Sequence, residues 1–360
     1  MFRIFSSMTF YRTYRPQTIS QLDKSDVRDR LFAMVKSRNI PHALLFTGPR
    51  GTGKTSTARL VAKMLNCEKL AAGTSKDTEP CNQCDQCRAI ASGTHLDVYE
   101  IDAASNRGID EIRDLREKIN LSCAVGKKKV YIVDEAHMLT REAFNALLKT
   151  LEEPPAHVHF ILATTDDHKL PDTIKSRCTQ IAFSKATVDE IVHGLNRVVS
   201  GESLTIDEGV LELIAQRSGG SFRDAVKLLE QAVSENALTL DTLSAMLHSV
   251  SVDARVLDMF AGKEAKALLA WIQELDQKGT DFSVVVSELL TRFHDVMLEQ
   301  YSVSPQTGTE HDAIVKKFTQ KELAYLMRLL SRAHQETKTW YIEPLPLELA
   351  VVDYCGHKSV

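Results

Sequence analysis

One segment, Gly48–Thr55, constrains this chain more than any other, because its sequence Gly-Pro-Arg-Gly-Thr-Gly-Lys-Thr fits the pattern G-x-x-x-x-G-K-T. An apolar run, His42–Thr47, precedes it, and helical spacing follows over Ser56–Asn66. A phosphate-binding loop requires this placement between a strand and a helix. We therefore expect the chain to bind and hydrolyse a nucleoside triphosphate, ATP, together with Mg²⁺.

The predicted nucleotide contacts are the residues of the loop and its flank: Gly48, Pro49, Arg50, Gly51, Thr52, Gly53, Lys54, Thr55 and Ser56. The glycines let backbone amides approach phosphate oxygens, and the helix N-terminus adds a favourable potential for an anion. Lys54 is expected to reach the β- and γ-phosphates, and the Thr55 hydroxyl to ligate Mg²⁺.

A second apolar run, Val130–Val133, ends in the two carboxylates of Asp134 and Glu135. Paired with a phosphate loop, this pattern predicts that Asp134 lies near the magnesium ion and that Glu135 polarises the attacking water. Without the loop, the same residues would be read as a solvated acidic turn.

Two more positions complete a candidate site. Thr165 ends the next apolar run, where a hydroxyl could hold the water or the γ-phosphate, and Arg177 lies in a Ser-Arg-Cys sequence. An arginine there could act as a finger on the nucleotide of a neighbouring subunit. Taken singly, each residue is more often a turn residue or a surface charge, so the prediction depends on their order along the chain.

The fold class follows from alternating strands and helices. Four apolar runs predict strands, and three amphipathic segments predict helices: His42–Thr47, Asp97–Ile101, Lys129–Val133 and His159–Ala163, then Ser56–Asn66, Gly108–Leu121 and Arg141–Glu152. Such alternation builds a mostly parallel sheet with helices on both faces. We expect an α/β P-loop domain over residues 1–186.

Strand signals fade after about residue 185. Thr187–Glu190 and Thr205–Glu208 both fit the Thr-x-x-Glu capping box that starts a helix. Gly219-Gly220 should end the second helix, and Ser221 should cap a third. A small helical bundle over residues 187–248 is therefore expected. Helical periodicity then predicts an all-α domain over 249–360, with helices at Ala265–Leu275, Phe282–Leu298 and Thr319–Gln335.

Four of the seven cysteines are grouped as Cys67-x₁₃-Cys81-x₂-Cys84-x₂-Cys87. Four thiolates around one ion suit a closed tetrahedral Zn²⁺ site, which predicts a structural zinc module over 67–87. Iron–sulfur ligation is chemically possible but nothing else in the chain indicates redox work. A disulfide is the other alternative, which a reducing compartment disfavours.

Composition limits the remaining classes. The net charge of −4 argues against a basic nucleic-acid coat, although a local basic face would still be compatible with it. No apolar run reaches the length of a membrane span, and the first residues lack the apolar core of a signal peptide. We expect a cytoplasmic protein with no membrane partner.

The ordered set of motifs, with Gly219–Arg223 as its last member, resembles the AAA+ ATPases of the clamp-loader clade. More narrowly, it resembles the gamma/tau family of bacterial DNA polymerase III. The long stretches that carry this likeness are Glu100–Arg113, Asp134–Leu139, Phe144–Pro155 and Ala163–Thr165. The likeness covers most of residues 9–250 and the rest more loosely.

The resemblance implies a role for each matching residue. Thr165 matches the sensor-1 position, Arg223 the sensor-2 arginine of the lid, and Arg177 the arginine that acts in trans. Arg15 and Pro16 belong to the segment beside the adenine. The family also carries a zinc module at this insertion, and its C-terminal helical domain is an oligomerisation collar.

The same resemblance implies an ATPase within the DNA polymerase III holoenzyme, which loads a sliding clamp onto primer–template DNA. Implied partners are delta-like and delta-prime-like subunits, further copies of this chain, the clamp and the DNA. The stretch Leu22–Asp26 departs from the Val-Gly-Gln usual in the family. The end at Val360 is expected to be that of a gamma-like short form or of a shortened tau.

Two other classes share the nucleotide motifs. A branch-migration or remodelling motor is disfavoured by the four-cysteine insertion and the helical C-terminal region. A scaffold subunit without turnover is disfavoured by the intact Lys54, Asp134 and Glu135.

Overall fold

The computed structural model describes residues 9–71, 78–105, 119–247, 254–301, 315, 317–337 and 339–356. The chain forms two compact units, Met1–Leu243 and Ser244–Val360. The predicted finer division at residue 186, between the α/β domain and the lid, stays a prediction. In the described part of the chain, no helix is both long and apolar enough to cross a membrane.

The first unit contains a five-stranded parallel sheet. Its strands are β1 (Ala43–Thr47), β2 (Val98–Asp102), β3 (Lys129–Asp134), β4 (Val158–Thr164) and β5 (Thr179–Ala182). They are ordered β2-β3-β4-β1-β5, which puts the strand of the phosphate loop inside the sheet. The four predicted strands are present within about one residue of their expected bounds. The fifth was missed because only Ile181 of its four residues is buried.

Strand register brings the predicted site residues to one edge of the sheet. Thr47 lies opposite Thr164, and Asp102 lies opposite Asp134, each at the carboxyl end of its strand. Loops that follow these ends therefore meet outside the same edge, which is where open parallel sheets bind ligands.

Helices cover both faces of the sheet. The helices of the chain before residue 186 are α1 (Phe10–Thr13), α2 (Ser25–Lys36), α3 (Lys54–Asn66), α4 (Glu68–Ala71), α5 (Asp85–Ser92), α6 (Arg141–Glu152) and α7 (Asp172–Lys175). Because side chains alternate along a strand, Leu45 enters one core and its neighbour Leu44 the other. Most of the helix predicted over Gly108–Leu121 lies outside the described residues.

Three further helices belong to the first unit: α8 (Val188–Glu202), α9 (Val210–Arg217) and α10 (Phe222–Ser234). A fourth, α11 (Leu240–Leu247), crosses the boundary between the two units at Leu243. The capping box at Thr187 and Glu190 is present, with both of its hydrogen bonds. Ser221 also caps α10 as predicted, accepting from Asp224 N at 3.2 Å.

The prediction that Thr205 caps the next helix is wrong. Helix α9 begins at Val210, after Gly209, whose φ of +85° reverses the chain. The segment before it is held elsewhere, because Asp207 N donates to Leu238 O at 3.2 Å. Spacing identified a Thr-x-x-Glu match but could not show that a left-handed glycine intervenes.

The second unit is helical, with α12 (Ala254–Ala261), α13 (Ala265–Gln277), α14 (Phe282–Gln300), α15 (Gln320–Thr337) and α16 (Leu345–Gly356). The three helices predicted here are confirmed within about two residues at each end. The five helices of this unit enclose a hydrophobic core, in which the rings of Phe260, Phe293 and Tyr354 pack together.

Candidate nucleotide and metal sites

A cavity of about 530 Å³ opens at the carboxyl edge of the sheet in the first unit. Twelve of the predicted site residues line it: Arg15, Pro16, Arg50, Gly51, Thr52, Gly53, Lys54, Thr55, Ser56, Asp134, Glu135 and Arg223. A volume of this size is typical of small-molecule and cofactor sites. Segments from the N-terminus, the sheet and the helical lid thus converge on one space.

The phosphate loop adopts a conformation that only glycine tolerates easily. Gly48, Gly51 and Gly53 have φ values of +143°, +79° and +98°. A Cβ atom at Gly51 would lie 2.0 Å from Ser221 Oγ, so the loop and the N-cap of α10 approach closely. These two constraints fit a loop that cradles phosphates with its backbone.

Lys54 begins α3 and bends back over the loop. Its Nζ donates to Gly48 O at 2.7 Å and to Pro49 O at 2.8 Å. Burial lowers the pKa of Lys54, while the nearby Glu135 and Asp134 carboxylates oppose that shift. A buried ammonium whose partners among the described residues are two carbonyls would gain from an anionic oxygen in their place.

The Thr55 hydroxyl donates to Asp134 Oδ2 at 2.7 Å, joining the first turn of α3 to the end of β3. A hydroxyl and a carboxylate are the hard oxygen ligands that Mg²⁺ takes beside phosphates. This donor set fits the predicted ion. Asp102, which was not among the predicted site residues, also lines the cavity because β2 ends beside β3.

Glu135 has a left-handed backbone, with φ 48° and ψ 45°, just before a short 3-10 turn at Ala136–Met138. Its Oε2 accepts from the Thr165 hydroxyl at 2.8 Å. His137 Nδ1 lies 3.5 Å from the same oxygen and 2.9 Å from Thr164 Oγ1. Sequence spacing indicated Glu135 and Thr165 but not this histidine, which lies two residues beyond the carboxylate.

Arg223 enters the cavity from the first turn of α10. Its guanidinium carbon lies 5.1 Å from the centre of the Tyr11 ring, a cation–π distance. Its Nε is buried, and among the described residues no atom accepts a hydrogen bond from it. A buried donor without an acceptor is costly, so this arginine fits a ligand that brings an anion.

The stretch Leu22–Asp26 joins the N-terminal segment to helix α8. Asp23 accepts from Arg197 at 2.6 Å and from His193 Nδ1 at 2.7 Å. Its side chain is only 6% exposed, so this contact is internal. The pairing connects segments that are distant in sequence and could not be read from local spacing.

Four of the residues predicted for the nucleotide site do not line the cavity, and Arg177 is one of them. Its Nε donates to Glu152 Oε1 at 2.8 Å, and its Nη1 to Thr173 O at 2.6 Å. Thr165 is also outside the cavity lining and touches it through Glu135. Gly48 and Pro49 contribute through the carbonyls that hold Lys54.

The four grouped cysteines come together as a second site. The Sγ atoms of Cys67, Cys81, Cys84 and Cys87 all lie within 4.8 Å of one another. Backbone amides of Cys81 and Cys84 donate to the preceding sulfurs at 3.4 Å each. Burial raises the pKa of the Cys87 thiol, so four thiolates would need a cation between them. The donor set fits a four-sulfur metal site.

Comparisons with known proteins match this architecture in two blocks. Residues 24–187 match a family described as DNA polymerase III, delta subunit. Residues 190–236 match the ATPase lid domain of the DNA polymerase III clamp loader subunit.

Individual relatives cover more of the chain. The tau subunit of DNA polymerase III from Bacillus subtilis is 40% identical over 98% of this chain, and that from Escherichia coli is 40% identical over 81%. This chain spans only 64% and 45% of those two relatives. The gamma subunit from Buchnera aphidicola (Baizongia pistaciae) is 33% identical over 89% of this chain and 90% of its own length.

Among solved structures, the RuvB branch-migration motor of Thermotoga maritima aligns with 74% of this chain and 86% of its own, at 18% identity and a TM-score of 0.49. That likeness is too low to carry an argument about function. The relatives that match along most of this chain decide the family, and the chain belongs to the gamma/tau family of DNA polymerase III subunits.

Proposed function

We propose that this chain is an ATPase subunit of a bacterial clamp loader. It would couple ATP binding and hydrolysis to opening a sliding clamp and loading it onto primer–template DNA. The observation that carries this proposal is the convergence of four groups on one cavity: Lys54, the Thr55–Asp134 pair, Glu135 and the lid arginine Arg223.

Each group has a defined task in this proposal. Mg²⁺-bound ATP would supply a γ-phosphoryl group whose transfer to water releases free energy. Lys54 would exchange the carbonyls of Gly48 and Pro49 for phosphate oxygens, while Thr55 and Asp134 hold the ion. Glu135 would orient the attacking water and accept its proton.

Coupling to motion would come from the lid. Arg223 and the Ser221 cap stand on α10, whereas the loop around Gly51 stands on the sheet. A γ-phosphate that contacts both Arg223 and the phosphate loop would favour one arrangement of lid and sheet. Loss of the γ-phosphate on hydrolysis would remove this preference. Hydrolysis would thereby become a timed change of shape.

Partners follow from the same proposal. Arg177 would contact the nucleotide of a neighbouring subunit, either a copy of this chain or a delta- or delta-prime-like subunit. Primer–template DNA would be held through its phosphate backbone, with weak sequence preference. Residues 249–360 would form the oligomerisation collar, and the protein would act in the cytoplasm, where bacterial DNA is replicated.

The four-cysteine site would bind Zn²⁺ in a structural role. All four ligand positions would be taken by protein sulfur, which leaves no open position for a substrate. Two of the four, Cys67 and Cys87, have no exposed surface, as expected for a closed site.

One assay separates this proposal from its two alternatives. ATP turnover would be measured with and without sliding clamp and primed DNA, in the assembled complex, for wild type and Lys54→Ala. We expect stimulation in wild type and none in the variant. Turnover without clamp stimulation would favour a remodelling motor, and no turnover at all a scaffold. Equal turnover in Lys54→Ala would overturn the assigned site.

A further inference from the structure

The segment that carries the grouped cysteines also holds the N-terminal wall of the cavity. Glu79 lies two residues before Cys81, and both of its carboxylate oxygens accept backbone hydrogen bonds. Ile19 N donates to Oε2 at 2.7 Å, and Ser20 N donates to Oε1 at 2.8 Å. Hydrogen bonds to a carboxylate are about twice as strong as neutral ones, so this pair fixes the backbone at Ile19.

A second link starts inside the cysteine turn. Lys63 Nζ donates to Asn82 Oδ1 at 2.8 Å and to Gln17 Oε1 at 2.6 Å. Lys63 is only 2% exposed, so its ammonium depends on these partners in place of water. Asn82 stands between Cys81 and Cys84 with a φ of +55°, a conformation that needs support from its surroundings.

Both links end beside the nucleotide cavity. Gln17 Nε2 donates to Arg15 O at 3.1 Å, and Arg15 and Pro16 line the cavity. Only two residues separate Pro16 from the anchored Ile19. The position of this wall is therefore set from the cysteine segment through Glu79 and through Asn82, Lys63 and Gln17.

We propose that the metal module is a brace for the nucleotide cavity, with Glu79 as its main positioning residue. An ion that orders the cysteine turn also orders Glu79 and Asn82, and these hold the N-terminal wall in its binding position. This inference rests on the proposed function, namely zinc at the cysteines and ATP in the cavity. It goes beyond it in giving the module an energetic connection to nucleotide binding.

Thermodynamic linkage makes the brace measurable from either end. If zinc raises nucleotide affinity by some factor, nucleotide raises zinc affinity by the same factor. Wild type would be titrated with a competing zinc chelator and a colorimetric zinc indicator at constant Mg²⁺, with and without ATPγS. We expect bound ATPγS to raise the equilibrium affinity for zinc by roughly fivefold or more, the lower range of typical couplings.

Three variants of the full chain sharpen the test. Glu79→Gln keeps the shape but replaces one acceptor with a donor that faces a backbone N–H. Gln17→Ala cuts the second link and leaves every charge and cysteine in place. We expect both to weaken ATPγS binding, measured by calorimetry, and to reduce its protection of zinc. Asp85→Asn is the control. Asp85 lies on the same module, is exposed, and among the described residues forms an ion pair with Arg88 only.

The outcomes are distinct. Full coupling in wild type and Asp85→Asn, with reduced coupling in the other two variants, supports the brace. If wild type binds both zinc and ATPγS but neither ligand changes the affinity for the other, the brace is overturned and the proposed function stands. A chain without zinc by elemental analysis, or without ATPγS binding, overturns the brace together with the corresponding site.

Discussion

Thr165 Oγ1 donates a hydrogen bond of 2.8 Å to Glu135 Oε2, joining the end of β4 to the end of β3. The contact sets the direction of the carboxylate that we assign to water activation. Glu135 also has a left-handed backbone, so both ends of this residue are constrained. The residue proposed as the sensor and the residue proposed as the general base are thus in direct contact, without a ligand between them.

Replacing Thr165 by valine keeps its shape and removes this donor. We expect turnover to fall about tenfold or more, because a misdirected base loses part of the rate gain that general-base catalysis supplies. Nucleotide affinity should change little, since Thr165 lies outside the cavity lining. Steady-state hydrolysis and equilibrium nucleotide binding measure the two effects. Thr165→Ser should restore turnover, and a valine variant with wild-type turnover would contradict the assignment.

The contact between Gly51 and Ser221 leads to a prediction about stability. Gly51→Ala would place a Cβ 2.0 Å from Ser221 Oγ at a φ of +79°. Gly93→Ala is a matched control, because Gly93 has a φ of +74° and a Cβ added there would meet nothing within 4 Å. Both variants strain the left-handed backbone, but only Gly51→Ala adds overpacking of about 1–3 kcal/mol.

Denaturant unfolding of the nucleotide-free protein measures this difference. We expect the free energy of unfolding to fall further for Gly51→Ala than for Gly93→Ala by about the overpacking cost. Equal losses in the two variants would show that the loop and the lid cap are not in close contact in solution.

Much of this site was predictable because its residues follow strands. Continuous apolar runs identified β1, β3 and β4, and parallel strands necessarily bring their carboxyl ends to one edge. The edge strand β5 was not predictable in this way, because only Ile181 of its four residues is buried and the strand has no continuous apolar run.

Contacts between segments that are distant in sequence could not be predicted from local sequence patterns. Asp23 meets Arg197, and Glu79 meets Ile19, across 174 and 60 residues of sequence. Spacing rules describe neighbours on one helix or strand and say nothing about such pairs. His137 lies two residues after Glu135, but many histidines occupy such turns without a role, so its place in the sequence did not mark it as a site residue.

Arg177 gives a prediction about assembly. Its guanidinium is paired with Glu152 and lies apart from the chain's own cavity. Arg177→Ala should leave nucleotide affinity of the isolated chain unchanged and should lower clamp-stimulated turnover of the complex by about 10³-fold, as for other arginine fingers. Lys175→Ala is the control, because it removes an ion pair with Asp172 within the same short helix.

Weaker nucleotide binding by the isolated Arg177→Ala chain would contradict action in trans.

The cysteine site predicts a metal content. Elemental analysis should find about one zinc per chain in wild type and almost none in Cys67→Ser, since a hydroxyl is a poor replacement for a thiolate ligand. Cys178→Ser should keep the zinc. Burial raises the pKa of Cys178 to about 11, which leaves it a neutral thiol outside the cluster. A folded wild-type protein without metal would contradict the assignment.

His159 predicts how stability depends on pH. It lies on β4 and is 7% exposed, its Nδ1 has no partner among the described residues, and burial lowers its pKa to about 4. The unfolded chain has a histidine pKa of about 6.5, so between pH values of about 6.5 and 4 the unfolded state binds the extra proton. The free energy of unfolding must therefore fall as pH falls through this range.

Between pH 7 and pH 5, protonation of His159 in the unfolded chain should lower the free energy of unfolding by about 2 kcal/mol, given the difference between the two pKa values. Denaturant unfolding at both pH values would be compared for wild type and His159→Leu, which removes the titrating group and keeps an apolar side chain on the strand. We expect the variant to lose less stability than wild type between pH 7 and pH 5. The same loss in both proteins would mean that His159 is not held neutral by burial.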